Sequence, residues 1–201
     1  MPLSDVGQAQ ATHLGRHLVT LDAPDLVVSS PMRRAADTAA HSLAALPTTP
    51  RIVVDERLRE RDLGLFDGLT GDGIRAEFPD EAERRTKVGK FYYRPPGGES
   101  WTDVLLRVRS VLLTLATEHE GEDVWLFSHQ AVIACFRIAI EGLTEQEALE
   151  TERRQPLANC SVGVFEDDGT RLVLQRWGDA SAVEDAPVPT THERESAGRH
   201  E

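Results

Sequence analysis

The chain has 201 residues, enough for one domain with a sizeable core; 40% are hydrophobic and 28% charged, as in ordinary soluble globular proteins. A net charge of −12 argues against nucleic acid or an anionic membrane as the main partner. No run of about 18 apolar residues is present to span a bilayer, no signal-peptide pattern is visible, and Cys135 and Cys160 sit in apolar contexts that suit buried thiols in a reducing, cytoplasmic compartment, without metal spacing.

In chain order, Pro2-Leu3-Ser4-Asp5 leads into a helix carrying Leu14, Leu18 and Leu21 on one side, with Ser4 as its N-cap. Asp25–Ser29 is a short strand rich in β-branched residues. Ser30 can cap the next helix, and Pro31 suits its first position. Arg33 and Arg34 then fall in the first turn, where basic residues are electrostatically misplaced unless an anion is held there. The alternative is two solvated arginines.

Arg51–Asp55 is a third strand candidate. Leu58–Gly68 reads as an irregular loop, in which Glu60 is either a catalytic acid or a partner for Arg59 or Arg61. Residues 71–88 form a charged helical insert. Phe91–Gly98 is aromatic, then rigid, then flexible, and either lies over a pocket or packs across a core edge. Ser100 with Asp103 is a capping box for a helix bearing Val104, Val108, Val111, Leu112 and Leu115.

Val124–Phe127 reads as a strand buried on both faces. Ser128-His129-Gln130 follows at its carboxyl end, then a helix carrying Val132, Ile133, Phe136, Ile140 and Leu143. Open α/β sheets bind ligands at such junctions, and the new helix offers free N–H groups to an anion. The competing reading is a Ser128 N-cap beside a histidine that merely packs. A short polar helix follows over 144–152. Residues 160–165 and 171–177 then make a hairpin around Asp167-Asp168-Gly169. Residues 1–178 form the domain, and 179–201 read as a disordered polar tail.

Arg34, Glu60 and His129 thus come from three separated junctions. Ser29-Ser30-Pro31-Met32-Arg33-Arg34-Ala35, Leu58-Arg59-Glu60 with Gly64 and Gly68, and Ser128-His129 occur in the order found in the histidine phosphatase superfamily, which the chain resembles from about residue 2 to 177. Pro2–Ala11 looks like that family's first helix. The resemblance implies an α/β, three-layer phosphoglycerate mutase-like fold: a mostly parallel central sheet with helices on both faces. It also implies roles. Arg34 would bind the phosphoryl group, Glu60 would protonate the departing alcohol, and His129 would be the second catalytic histidine. No metal or other cofactor is implied.

Lys90–Arg94 with Gly98-Glu99-Ser100, and His129-Gln130-Ala131-Val132, are similar to the fructose-2,6-bisphosphatase branch. By that likeness Lys90, Tyr93, Arg94 and Gln130 would contact substrate. Trp101 stands where the branch has tyrosine. Thr86, Ala134 and Gly71 depart from it at positions where the branch uses two arginines and a tyrosine, so a related phosphomonoesterase is expected rather than that enzyme.

The family also opens with an apolar strand ending in Arg-His-Gly, whose histidine is the nucleophile. No such stretch is present, and His13, His17, His41, His119, His192 and His200 all lie in other contexts. The first strand is therefore expected to be missing beside 123–127. Either the native chain starts earlier, or the protein folds poorly or pairs with another chain through the sheet gap to make an oligomer. The expected function is hydrolysis of a small phosphorylated metabolite such as a sugar phosphate, with residues 1–201 inactive for want of the nucleophile. The alternative is a non-catalytic pseudo-phosphatase that binds a phosphate ligand or a partner protein.

Overall fold

The computed structural model describes residues 2–184 and 189–191. Helix α1 (Asp5–Leu18) starts at Ser4, whose hydroxyl accepts from the Gly7 N–H. Strand β1 (Leu26–Ser29), helix α2 (Arg33–Leu43) and strand β2 (Ile52–Val54) follow. Two 3₁₀ turns, Glu56–Leu58 and Gly64–Phe66, bound the irregular loop. Helices α3 (Gly71–Glu77) and α4 (Pro79–Val88) make up the insert. Helix α5 (Trp101–Glu118) opens with the expected Ser100–Asp103 capping box. Strand β3 (Val124–Phe127), helices α6 (Gln130–Glu141) and α7 (Glu145–Arg154), the antiparallel pair β4 (Val162–Asp167) and β5 (Leu172–Asp179), and helix α8 (Ser181–Glu184) complete the order. No helix among the described residues is long and apolar enough to cross a membrane.

The described strands form a parallel sheet in the order β2-β1-β3 and a separate β4-β5 sheet. Strand period two divides the parallel sheet's side chains between two layers. Leu26, Val28, Val124 and Leu126 pack with α5 and α6, around the fully buried Val104, Val108 and Val132. Val27, Ile52, Trp125 and Phe127 face the other way, onto Ala39 and Leu43 of α2. This is the α/β layering, with helices on both faces, that the resemblance implied. Helices α1 and α2 approach closely because Gly15 has no Cβ: one added there would collide with the Ser42 carbonyl.

Four local expectations are corrected. Strand β3 is covered on both faces but only half-buried along its length, because it ends the three-stranded sheet. Ser30 is not the N-cap of α2: that position is Met32, whose N–H donates to Ser30 Oγ. Nor does Ser128 cap α6, where His129 holds the N-cap position and makes no side-chain cap bond. Residues 179–184 do not belong to a disordered tail, since β5 runs to Asp179 and Val183 of α8 is fully buried near α1. Residues 189–191 are also tied in, with Gln10 Nε2 donating to the Pro189 carbonyl and Thr191 Oγ1. Residues 185–188 and 192–201 of that expected tail lie outside the described residues.

Candidate active site

Parallel pairing brings two of the three junctions together. Ser29 of β1 lies opposite Phe127 of β3, so both strands end at one edge of the sheet. The Ser30 N–H extends the ladder by donating to the Phe127 carbonyl at 2.9 Å. Arg34, in the first turn of α2, and His129, at the start of α6, therefore rise from neighbouring strand ends. The third junction is tied to them by Ser128, whose hydroxyl donates to the Leu58 carbonyl at 2.8 Å. Leu58 itself is fully buried, and Glu60 follows two residues later.

The result is a three-residue cluster. Glu60 Oε2 lies 3.9 Å from Arg34 Nη2 and 3.9 Å from His129 Nδ1. The other carboxylate oxygen of Glu60 accepts from the Arg61 N–H at 2.7 Å, which fixes the plane of the group. His129 is 4% exposed, and its Nε2 lies 2.8 Å from the buried Ser30 Oγ. Burial, and then the charges of Arg34 and Arg107, push the His129 pKa down from 6.5 to about 3. The ring is accordingly neutral at physiological pH and able to donate one hydrogen bond.

That depressed value has a consequence for stability. Above the unfolded pKa of 6.5 both states carry a neutral ring, and the full stability is present. As pH falls below 6.5 the unfolded chain takes a proton that the folded chain refuses until about 3. The contribution of His129 then erodes by about 1.4 kcal/mol per pH unit. Urea titrations of the unmodified chain and of His129→Gln between pH 6.5 and 4 are expected to show a shallower loss for the variant; parallel curves would contradict the shift.

The Glu60 loop is braced from α5. Glu99 accepts from Arg59 Nη2 at 3.1 Å, from Arg107 Nε at 3.0 Å and from the Asp62 N–H at 3.1 Å. Arg107 Nη1 also donates to the Arg57 carbonyl at 2.6 Å. Glu99 and Arg107 thus clamp both ends of the segment that presents Glu60. The loop lies close against Pro95–Glu99, since a Cβ on Gly98 would sit 2.6 Å from the Asp62 carbonyl oxygen. Neither Arg107 nor the partnering of Ser30 with His129 is visible in the sequence, because the contacts span 50 and 99 positions.

The expected substrate residues divide. Gln130 follows His129 at the first position of α6 and lines a small cavity with Ala134, Glu152 and Trp177. Lys90 Nζ pairs with Glu152 at 2.8 Å and lies 5.9 Å from the centre of the Trp101 ring, with Arg61 also against that ring at 5.7 Å. Tyr93 and Arg94 are engaged with other partners in this structure. Tyr93 is 5% exposed in a cluster with Phe66 and Ile74, and its hydroxyl donates to Glu81 at 2.6 Å. Arg94 Nε donates to Asp103 at 2.7 Å, in the first turn of α5. Both thiols are held protonated at neutral pH, burial pushing Cys135 up to about 12 and Cys160 up to about 11.

The chain belongs to the histidine phosphatase superfamily (branch 1), whose sequence model matches residues 1–180. Bifunctional protein Rv2228c of Mycobacterium tuberculosis is 34% identical over 185 residues, covering 86% of this chain and 47% of that protein. The chain therefore spans about half the length of that curated relative. Phosphoglycerate mutase-like protein 4 of Arabidopsis thaliana is 31% identical over 188 residues, covering 91% of this chain and 76% of its own. Among solved structures, the mycobacterial glucosyl-3-phosphoglycerate phosphatase Rv2419c in complex with inorganic phosphate aligns with a TM-score of 0.75 at 30% identity, over 90% of this chain and 89% of that one.

Proposed function

We propose that Arg34, Glu60 and His129 form the phosphoryl site of a phosphomonoester hydrolase of the histidine phosphatase type. Its substrate is a small phosphorylated metabolite such as a sugar phosphate. The observation that carries this reading is the meeting of a guanidinium, a carboxyl group and a buried neutral imidazole at the carboxyl edge of a parallel sheet. In it, Arg34 clamps non-bridging oxygens with its planar fork. His129 donates to the oxygen on which charge develops, from a site where burial strengthens the bond. Glu60 protonates the departing alcohol. The Arg34 guanidinium supplies the positive charge and neutral His129 an N–H dipole, so no metal is called on. The relatives support the substrate class, since they include a glucosyl-3-phosphoglycerate phosphatase and a phosphoglycerate mutase-like protein.

Covalent phosphoryl transfer also needs a nucleophile. The other described histidines do not fit that role. His13 pairs with Arg16 and His119 with Glu122. His17 and His41 lie in the last turns of α1 and α2. The C-terminus of α2 is also the end of that helix remote from Arg34. Residues 1–201 are therefore expected to bind inorganic phosphate in calorimetry, with a sugar phosphate competing, and to leave p-nitrophenyl phosphate unhydrolysed. Failure to bind phosphate would overturn the site. Turnover that disappears in His129→Ala would overturn the expected inactivity and require another nucleophile.

A further inference from the structure

Ser30 and His129 are 99 positions apart, and both are buried, at 0% and 4% exposure. Their side chains meet at 2.8 Å between Oγ and Nε2. We propose that Ser30 is a positioning residue: its hydroxyl donates to His129 Nε2 and thereby holds the ring as the Nδ1–H tautomer, with that N–H on the side of Glu60. The inference deepens the phosphoryl-site reading and rests on it for its functional meaning, but the tautomer can be read without any ligand.

Every buried donor at this junction needs an acceptor. A serine hydroxyl has one hydrogen to give and two lone pairs to fill. One lone pair of Ser30 Oγ takes the Met32 N–H at 3.2 Å. The hydroxyl hydrogen needs an acceptor inside the protein, and His129 Nε2 stands within reach. Were Nε2 to carry the hydrogen instead, Ser30 Oγ would accept twice and its own hydrogen would be buried without this partner, which is unfavourable. A neutral imidazole has a single N–H, so a lone pair at Nε2 places the hydrogen at Nδ1. Nδ1 is the atom 3.9 Å from Glu60 Oε2, and the same Oε2 is 3.9 Å from Arg34 Nη2. The tautomer thus decides whether the cluster presents a donor or a lone pair to a phosphoryl oxygen, and only the donor stabilises negative charge.

The junction that aims the hydroxyl is itself fixed. The Ser30 N–H is committed to the Phe127 carbonyl, and Ser29 Oγ donates to the Ser30 carbonyl at 3.1 Å. Ser30 is therefore held by both of its backbone polar groups while its side chain faces His129. Neither threonine nor alanine removes the backbone N–H and C=O that make those bonds, but only threonine keeps the hydroxyl.

The test is a two-bond proton–nitrogen correlation spectrum of the full chain labelled with ¹⁵N-histidine, with His129 assigned by its loss in His129→Gln. At neutral pH without ligand, Nε2 is expected at the unprotonated position and Nδ1 at the protonated one. In Ser30→Ala the two signals are expected to converge as tautomers mix, and Ser30→Thr should restore the separation. A protonated Nε2 in the unmodified chain would overturn the proposal, and that spectrum is informative even if a variant fails to fold. Unchanged signals in a folded Ser30→Ala would overturn it too. Affinity for inorganic phosphate should fall about tenfold in Ser30→Ala and recover in Ser30→Thr. Should the unmodified chain not bind phosphate at all, the phosphoryl-site reading fails while the tautomer assignment is judged by the spectrum alone.

Discussion

Arg34→Ala is expected to weaken binding of inorganic phosphate by about a hundredfold, the loss of about 3 kcal/mol of charge-assisted hydrogen bonding. Stability should change less than binding, because the side chain is 32% exposed. Arg34→Lys keeps the charge but not the fork, and should lose about tenfold. This graded pattern, read by calorimetry beside an unfolding curve, separates binding from folding. An unchanged affinity in Arg34→Ala would remove the guanidinium from the site.

Glu99→Ala is expected to act in the opposite order, on folding first. Arg107 is 11% exposed at its side chain and Glu99 14%, so deleting the carboxylate strands a charge in the interior. One-sided removal of a buried pair costs about 3 kcal/mol or more, a large share of a total stability of roughly 5–15 kcal/mol. The midpoint of urea unfolding should fall with the slope unchanged. The Arg59 and Asp62 tethers go with it, so the loop presenting Glu60 should also loosen. A midpoint equal to that of the unmodified chain would show that the brace carries little of the fold's stability.

These two residues mark the boundary of what the sequence makes legible. Arg34 and His129 stand out because each follows a short apolar strand and opens a helix, a local pattern of spacing and charge. That the two strands pair in parallel, and so deliver both side chains to one edge, is a long-range fact that the fold settles. Glu99 and Arg107 look like any charged pair on a helix entrance. Their meaning comes from Arg57, Arg59 and Asp62, 37 to 50 positions away. Ser30 has the composition of a cap and the neighbours of a cap, and its true partner is again distant.

The features that local sequence does not show have equally physical causes. An aromatic run carries no sign of which ring turns inward, and Tyr93 turns into the cluster beneath α3 and α4 while Tyr92 stays 54% exposed. Arg94 is drawn to Asp103, where α5 begins. Past Gly178, apolar content is low, yet the few apolar residues there suffice: Ala180 and Val183 are both buried. Strand β3 reads as doubly buried because both of its faces are apolar. Both faces are indeed covered by helices, while its half-exposure arises at the sheet's end.

The proposed site grasps a phosphoryl group where α2 and α6 begin. A crystal of the chain grown or soaked with inorganic phosphate locates that group directly. The anion is expected within hydrogen-bonding distance of the Arg34 guanidinium and of His129 Nδ1, beside the Glu60 carboxyl. An anion bound elsewhere, with these three side chains left as they are, would contradict it.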